Sequence, residues 1–144
     1  MFRTNELITQ IAGKTNLVNE DGKIELAFDP NRKLMLVDVI GTLDECRFTY
    51  RGFHVSKEIA RQYYKNTDWY KDVEEAKRKA EEQKIREWRN LCKSQPGKLH
   101  PELKGIIENM YTSTANAFLG KNLFDSPKLE DVVKNYEEFI NLIC

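Results

Sequence analysis

The residues best suited to chemistry lie in one basic and aromatic segment near the middle of the chain, residues 47–71. Cations can hold phosphate groups and aromatic rings can stack on bases, so this composition is typical of a surface that binds nucleic acid or a nucleotide. Only Glu58 and Asp68 add negative charge there. The cations are Arg47, Arg51, Lys57, Arg61, Lys65 and Lys71, and the aromatic residues are Phe48, Tyr50, Phe53, Tyr63, Tyr64, Trp69 and Tyr70. The segment is therefore the candidate binding region.

The spacing of these cations indicates that they share faces. Arg47 and Thr49 lie on the side of an alternating strand opposite the core, and residues 57, 61 and 65 recur every four positions along one helix. An alternative stays open, because aromatic residues fill cores more often than they bind ligands. The predicted ligand-binding residues are Arg47, Tyr50, Arg51, His54, Lys57, Arg61, Tyr64 and Lys65.

The junction between the predicted sheet and the next helix resembles the arm-site DNA-binding domain of phage integrases. In that domain a three-stranded sheet precedes a helix, with an R-G-F-x-T-K-x-E-A-like junction. Arg51, Gly52, Phe53, Lys57 and Glu58 match this pattern, whereas Ser56 replaces the Thr and Ile59 replaces the Ala. The resemblance implies a sheet face that lies in the major groove of DNA. It covers a short part of the chain, and no integrase catalytic residue can be identified in the remainder, so no family is assigned.

The sequence contains no motif that predicts a reaction. Asp38 ends an apolar run before a Gly-Thr-Leu turn, which is similar to the D-x-D-G-T-L signature of haloacid dehalogenase-type phosphatases, but the second aspartate is Ile40. Two histidines and three widely spaced cysteines do not give the spacing of a metal site or a disulfide framework. We therefore expect a protein that is not an enzyme and has no catalytic residue, metal or cofactor.

Length and composition indicate one cytoplasmic domain. A chain of 144 residues with zero net charge can form one core, so we expect a single domain over 1–144, with residues 1–55 forming the sheet and 56–144 the helices. The cysteine spacing is typical of a reducing compartment. The sequence has no charged leader before a long apolar stretch and no apolar run long enough to span a membrane.

The hydrophobic pattern predicts an α+β fold. A small antiparallel sheet of three or four strands, about residues 15–55, should pack against C-terminal helices. Residues 24–28 and 46–50 alternate and so are half-exposed strands, whereas residues 34–40 are apolar on both faces and are expected to form a buried central strand. One helix should begin at Pro101 and end at Gly120, and another should follow residues 125–127.

A long charged helix is predicted over about residues 68–93. Its apolar stripe is narrow and contains small residues, which one domain would cover poorly but a second copy could cover well. We therefore expect a homodimer. The predicted self-association residues are Trp69, Val73, Ala76, Ala80 and Trp88.

Together these features predict a small non-enzymatic binding or regulatory protein whose partner is nucleic acid or a nucleotide. One alternative is a protein–protein inhibitor or adaptor, such as a phage or mobile-element protein that blocks a host protein. A more remote alternative is a small hydrolase.

Overall fold

A computed structural model describes residues 2–143 of the chain and confirms the α+β class. The chain forms two compact units, one made of residues up to Glu58 together with those from Pro101 onward, and the other of Ile59–His100. The helices are α1 (Phe2–Gly13), α2 (Glu58–Lys65), α3 (Asp68–Glu82), α4 (Pro101–Leu119) and α5 (Leu129–Ile143). The strands are β1 (Val18–Gly22), β2 (Leu26–Phe28), β3 (Leu34–Leu36), β4 (Cys46–Tyr50) and β5 (Phe53–Val55).

The first unit contains a three-stranded antiparallel sheet in the order β1–β4–β5. Strand β4 follows the predicted alternation in part: Cys46, Phe48 and Tyr50 are buried and Arg47 is exposed, but Thr49, expected on the same side as Arg47, is buried as well. The ring of Phe48 meets Phe118 of α4 edge-on at 5.6 Å between ring centroids. Phe53 of β5 makes a similar contact with α5. The C-terminal helices therefore cover one face of this sheet, which leaves the other face available for a site.

Strands β2 and β3 form a separate two-stranded sheet, and here the sequence prediction was wrong in detail. Residues 34–40 do not form a buried central strand, because all seven are exposed. A tight turn joins the strands: the Asp29 carboxylate accepts a hydrogen bond from the Lys33 amide at 2.7 Å, and Arg32 takes a left-handed conformation with φ 60°. The apolar run is therefore a surface hairpin, and the predicted meander is divided into a three-stranded and a two-stranded sheet.

The second unit contains α3, which ends at Glu82 and does not reach the predicted end near Lys93. Thr67 begins the helix, since its hydroxyl oxygen accepts a hydrogen bond from the Tyr70 amide at 3.3 Å. Lys84 ends it by adopting φ 55°, so that the Ile85 amide donates back to the Ala80 carbonyl. A short 3-10 helix follows at Trp88–Leu91. In the sequence, the apolar spacing up to Ala80 is also interrupted at Lys84, so this interruption marks a helix end.

The apolar stripe of α3 is covered within the chain. Val73, Ala76 and Ala80 are buried, while Trp69 and Trp88 are half-buried. Lys77 lies over the ring of Trp88 at 5.6 Å from the ring centre. A homodimer on this stripe stays a prediction, and it would require these buried side chains to be uncovered first. Among residues 2–143, no helix combines the length and the apolar character needed to cross a membrane.

Candidate active site

A bulge in β1 brings two consecutive acidic residues to one face of β4. The pairing register shifts between Asn19 and Asp21, so Glu20 is an extra residue in β1. Glu20 accepts a hydrogen bond from the Thr49 hydroxyl at 2.9 Å, and Asp21 pairs with Arg47. Without the bulge, successive side chains would point to opposite faces of the sheet. The bulge therefore places two carboxylates beside β4 on the face opposite the core.

Asp21 and Arg47 form a two-point ion pair. The Arg47 Nε donates to Asp21 Oδ1 at 2.7 Å, and Nη2 donates to Oδ2. This guanidinium lowers the pKa of the Asp21 carboxyl, and the carboxylate in turn raises the pKa of Arg47. Both side chains are about half-exposed. The pair therefore holds the guanidinium in one position at the surface, while Asp21 neutralises its charge.

His54 completes this face, because it lies directly opposite Thr49 in the β4–β5 register. Its Nδ1 atom is buried and has no hydrogen-bond partner within residues 2–143. A cavity of about 420 Å³ lies along this face. We name its lining the Arg47 face: Glu20, Asp21, Arg47, Thr49 and His54. It offers donors, acceptors and one imidazole ring around a volume that suits a small ligand.

A second group of charges, the Lys23 cluster, consists of Lys23, Glu25, Asp38 and Glu45. The Lys23 Nζ lies 2.7 Å from Glu25 Oε1, 3.4 Å from Glu45 Oε2 and 3.9 Å from Asp38 Oδ2. Glu25 foremost, and then Glu45, raise the pKa of Lys23. Through these ion pairs, the cluster connects the end of β1 with the residues on both sides of the hairpin and with the turn before β4. It is adjacent to the Arg47 face along the β1–β4 pair, where the Lys23 amide donates to the Glu45 carbonyl at 2.8 Å.

Gly22 joins the Arg47 face to the Lys23 cluster and allows close packing there. A Cβ atom at this position would lie 2.6 Å from the Cys46 Sγ. Cys46 is buried, and burial raises the pKa of its thiol, so the thiol stays protonated near neutral pH. A groove of about 520 Å³ runs beside this point and is bordered by α1 and by residues 19–24. Cys46 is therefore a packing residue beside the site.

The combined site can bind a ligand by hydrogen bonds and charge. Arg47 and Lys23 can donate hydrogen bonds to phosphate or carboxylate groups, although the five carboxylates around them make the whole site net negative. The carboxylates can accept hydrogen bonds from amines and hydroxyls. Within the described residues, no group of three or more His, Cys, Asp or Glu side chains could hold a metal ion. An arrangement of fixed hydrogen-bond donors and acceptors can position polar reactants relative to each other.

The structure brings only two of the predicted binding residues, Arg47 and His54, into this site. Arg51 pairs with Glu130 at 2.7 Å and lies over the ring of Tyr50, which is itself buried on the core side. Lys57 is half-buried, and its amide donates to the Leu43 carbonyl. Binding by these residues stays a prediction.

The remaining predicted binding residues, Arg61, Tyr64 and Lys65, lie in the second unit. The Tyr64 hydroxyl donates to the Gly97 carbonyl at 2.8 Å, and its ring packs edge-on against Trp69. Arg61 and Lys65 are exposed on α2. Their role in binding likewise stays a prediction.

Sequence reasoning missed most of the acidic residues and Lys23. Lys23 and Glu25 are two positions apart after a turn, so their side chains would lie on the same side of an extended segment. This spacing is only a weak signal for a site. Nothing in the sequence locates the bulge at Glu20 or brings Glu45 to Lys23. Asp38, considered only as a spoiled phosphatase motif, accepts a hydrogen bond from the Val39 amide and faces Lys23.

Comparison with known proteins identifies relatives. The SAICAR synthetase family model matches residues 1–83. A protein of Archaeoglobus fulgidus, provisionally named phosphoribosylaminoimidazole-succinocarboxamide synthase, is 41% identical over 140 residues, which are 97% of this chain and 40% of that protein. Synthases of the same name from Thermoplasma acidophilum and Thermoplasma volcanium are 36% and 35% identical over 54% and 49% of this chain. The chain covers 29% and 26% of those two proteins.

These matches overturn the predicted function. The expectations of a non-enzymatic binding protein, of a viral inhibitor or adaptor and of a small hydrolase were wrong, because the family and the matched relatives are named as synthases. Nucleophiles, histidine pairs and metal ligands do not characterise the candidate site, which consists mainly of lysine, arginine and carboxylates that meet only in the fold. The family match covers more than half of the chain and includes every residue of the site. The chain therefore belongs to the SAICAR synthetase family.

Proposed function

We propose that this chain takes part in forming a succinocarboxamide, the product in the name of its relatives, and that the Arg47 face and the Lys23 cluster contact the reactants. The observation that carries the proposal is the family match to residues 1–83, which contains both parts of the site. The chain spans 40% of the Archaeoglobus relative and less of the other two, so it supplies one share of the whole reaction site.

The chemistry of the named product supports this assignment. Its phosphoribosyl part carries a phosphate and its succino part carries carboxylates, so a binding site needs fixed cations. A guanidinium has five N–H donors, and Asp21 engages Nε and one donor of Nη2 of Arg47. The remaining donors of the guanidinium can bind a carboxylate or a phosphate of the ligand while Asp21 stays bound. This is a nucleotide-type ligand, which is the part of the sequence prediction that the proposal retains.

His54 is proposed to contact the imidazole or ribose part of the ligand. Its buried Nδ1 has no partner within residues 2–143, and such an atom gains free energy when a ligand or a rotated ring supplies one. A cytoplasmic location is part of the same proposal, and the free thiols of Cys46 and Cys92 support it.

The test is direct binding of phosphoribosylaminoimidazole-succinocarboxamide to the whole chain, measured by isothermal titration calorimetry. Hydrogen bonds to charged groups contribute roughly 1.5–3 kcal/mol, so Arg47→Gln should weaken binding by at least about tenfold. The matched control is Lys104→Gln, which removes an exposed cation paired with Glu108 on α4, far from the site in sequence. Its affinity should equal that of the parent chain.

Two results would reject the proposal. One is equal affinity in the parent and in a folded Arg47→Gln variant, with folding checked by circular dichroism. The other is an equal loss in Arg47→Gln and Lys104→Gln, which would indicate unspecific charge attraction. Lys23→Gln tests the second part of the site in the same assay.

A further inference from the structure

The hairpin formed by β2 and β3 carries four large apolar side chains on one face. The antiparallel register pairs Leu26 with Leu36 and Phe28 with Leu34, so these four residues point to the same side. Leu26, Phe28, Leu34 and Leu36 are 43%, 65%, 59% and 42% exposed. We name them the hairpin face. Val37, Val39 and Ile40, which follow, are exposed apolar residues as well.

Such a face is unfavourable in water unless another molecule or segment covers it. An isolated two-stranded hairpin is marginally stable, and sheets gain stability from further strands or from packing on one face. Within the described part of the chain, β2 and β3 pair only with each other, so the outer edge of each strand can still accept a partner strand. Contiguous exposed apolar residues rimmed by charges are typical of interfaces.

The length of the relatives indicates what covers this face. The Archaeoglobus relative aligns with 97% of this chain, but the aligned region is only 40% of its own length. The family match includes the hairpin. We infer that the hairpin face docks the part of the family polypeptide that has no counterpart here, whether that part is joined to this chain or is a separate protein.

The position of the hairpin relative to the site supports this occupant. Lys23 precedes β2, Asp38 follows β3, and both belong to the Lys23 cluster. A polypeptide packed on the hairpin face would therefore lie next to the charges that we assign to ligand binding. This inference rests on family membership and on the exposed hairpin face, and not on the identity of the reactants, so either proposal can fail without the other.

The test uses the whole chain and the remainder of the Archaeoglobus relative, produced as a separate polypeptide without the 140 aligned residues. Binding is measured by calorimetry, and complex size by light scattering after gel filtration. The parent chain should form a one-to-one complex, and Phe28→Asp/Leu34→Asp should bind at least about tenfold more weakly, since apolar anchors dominate interfaces. The matched control is Leu119→Asp, because Leu119 is 56% exposed at the end of α4. It should bind like the parent.

Other outcomes would overturn the inference. The remainder is first shown to be folded by circular dichroism. If the folded remainder does not bind the parent chain, or binds Phe28→Asp/Leu34→Asp as tightly as the parent, the hairpin face is not the docking surface. If the parent chain alone forms a dimer that this variant abolishes, and the remainder does not bind, a second copy covers the face instead. Because the substituted side chains are exposed, the circular dichroism spectrum should not change; the single variants Phe28→Ser and Leu34→Ser extend the test should the double variant unfold.

Discussion

Two apolar strands of the first unit, β4 and β3, have opposite environments. Cys46, Phe48 and Tyr50 of β4 are buried, whereas Leu34 and Leu36 of β3 are exposed. In the sequence, the β3 region is the more continuously apolar of the two and therefore looked more central. Apolar character alone does not decide whether a strand is covered by its own chain.

The difference lies in what the rest of the chain supplies. The ring of Phe48 packs against Phe118 of α4, and α5 contributes Val132 and Phe139 to the buried set. The α4 and α5 helices lie more than fifty residues after β4 in the sequence, and they still cover its face. The hairpin face is exposed instead, which is expected of a surface that binds a polypeptide outside residues 2–143. A strand that is apolar but exposed therefore indicates an interface.

The largest expected effect concerns Phe48, compared with Phe28 of the hairpin. Phe48→Ala should lower the free energy of unfolding by about 3–5 kcal/mol, because it removes a fully buried ring and leaves a cavity. Phe28→Ala should cost below about 1 kcal/mol, since Phe28 is 65% exposed and its ring contact with Arg32 lies at the surface. Urea unfolding followed by far-UV circular dichroism measures both, because this signal comes from the helices and strands themselves.

Equal costs for the two substitutions would contradict the comparison. That result would mean that the hairpin face is buried in solution by the chain itself. Adding the remainder of the Archaeoglobus relative sharpens the test, since the cost of Phe28→Ala should then rise while that of Phe48→Ala stays the same.

An intermediate effect is expected at Gly22, where β1 ends and the chain leaves the sheet for the hairpin. Gly22→Ala should destabilise the protein by about 1–3 kcal/mol, because the added methyl group would meet the Cys46 Sγ at 2.6 Å. In a Cys46→Ala background the same change should cost less, because the obstructing sulfur is gone. A double-mutant cycle by urea unfolding measures this coupling.

Gly105→Ala is the matched control for Gly22. Gly105 lies within α4, and a Cβ atom there would meet nothing within 4 Å. That substitution should be neutral or stabilising by up to about 1 kcal/mol, since alanine favours helix. If Gly22→Ala is also neutral, the close packing of β1 on Cys46 does not exist in solution.

The elements that the sequence predicted well are those with local signals. Pro101 and the glycine after Leu119 limit α4, and the alternation in β4 correctly separates buried residues from Arg47. The end of α3 was missed, although Lys84 interrupts the pattern, because a left-handed residue other than glycine has no clear signature. Local patterns therefore predict elements better than they predict where the elements end.

The site could be predicted only in small part. Arg47 and His54 stood out by residue type, but Lys23 meets Glu45 and Asp38 only after β1 pairs with β4 and the hairpin folds back. The bulge that turns Glu20 and Asp21 to the same face depends on the pairing register. These distances join residues far apart in the chain and depend on the strand pairing, so a single sequence does not predict them.

The smallest effect is expected at the polar face of the sheet, where Asp21 pairs with Arg47, in contrast to the buried side of the same strands. Arg47 lowers the pKa of Asp21 below its ordinary value of 3.8, so the pair stabilises the folded state above that pH, and this contribution is lost as the pH falls through the lowered pKa. In Arg47→Gln the pKa of Asp21 should return toward the ordinary value, and stability should be less sensitive to acid. Carboxyl NMR titration of the folded chain measures this shift.

Both side chains are about half-exposed, so solvent screens the pair and the change in stability should be smaller than for Phe48 or Gly22. An Asp21 titration that is identical in the two proteins would show that the ion pair does not persist in solution, and the Arg47 guanidinium would then not be held in place for a ligand.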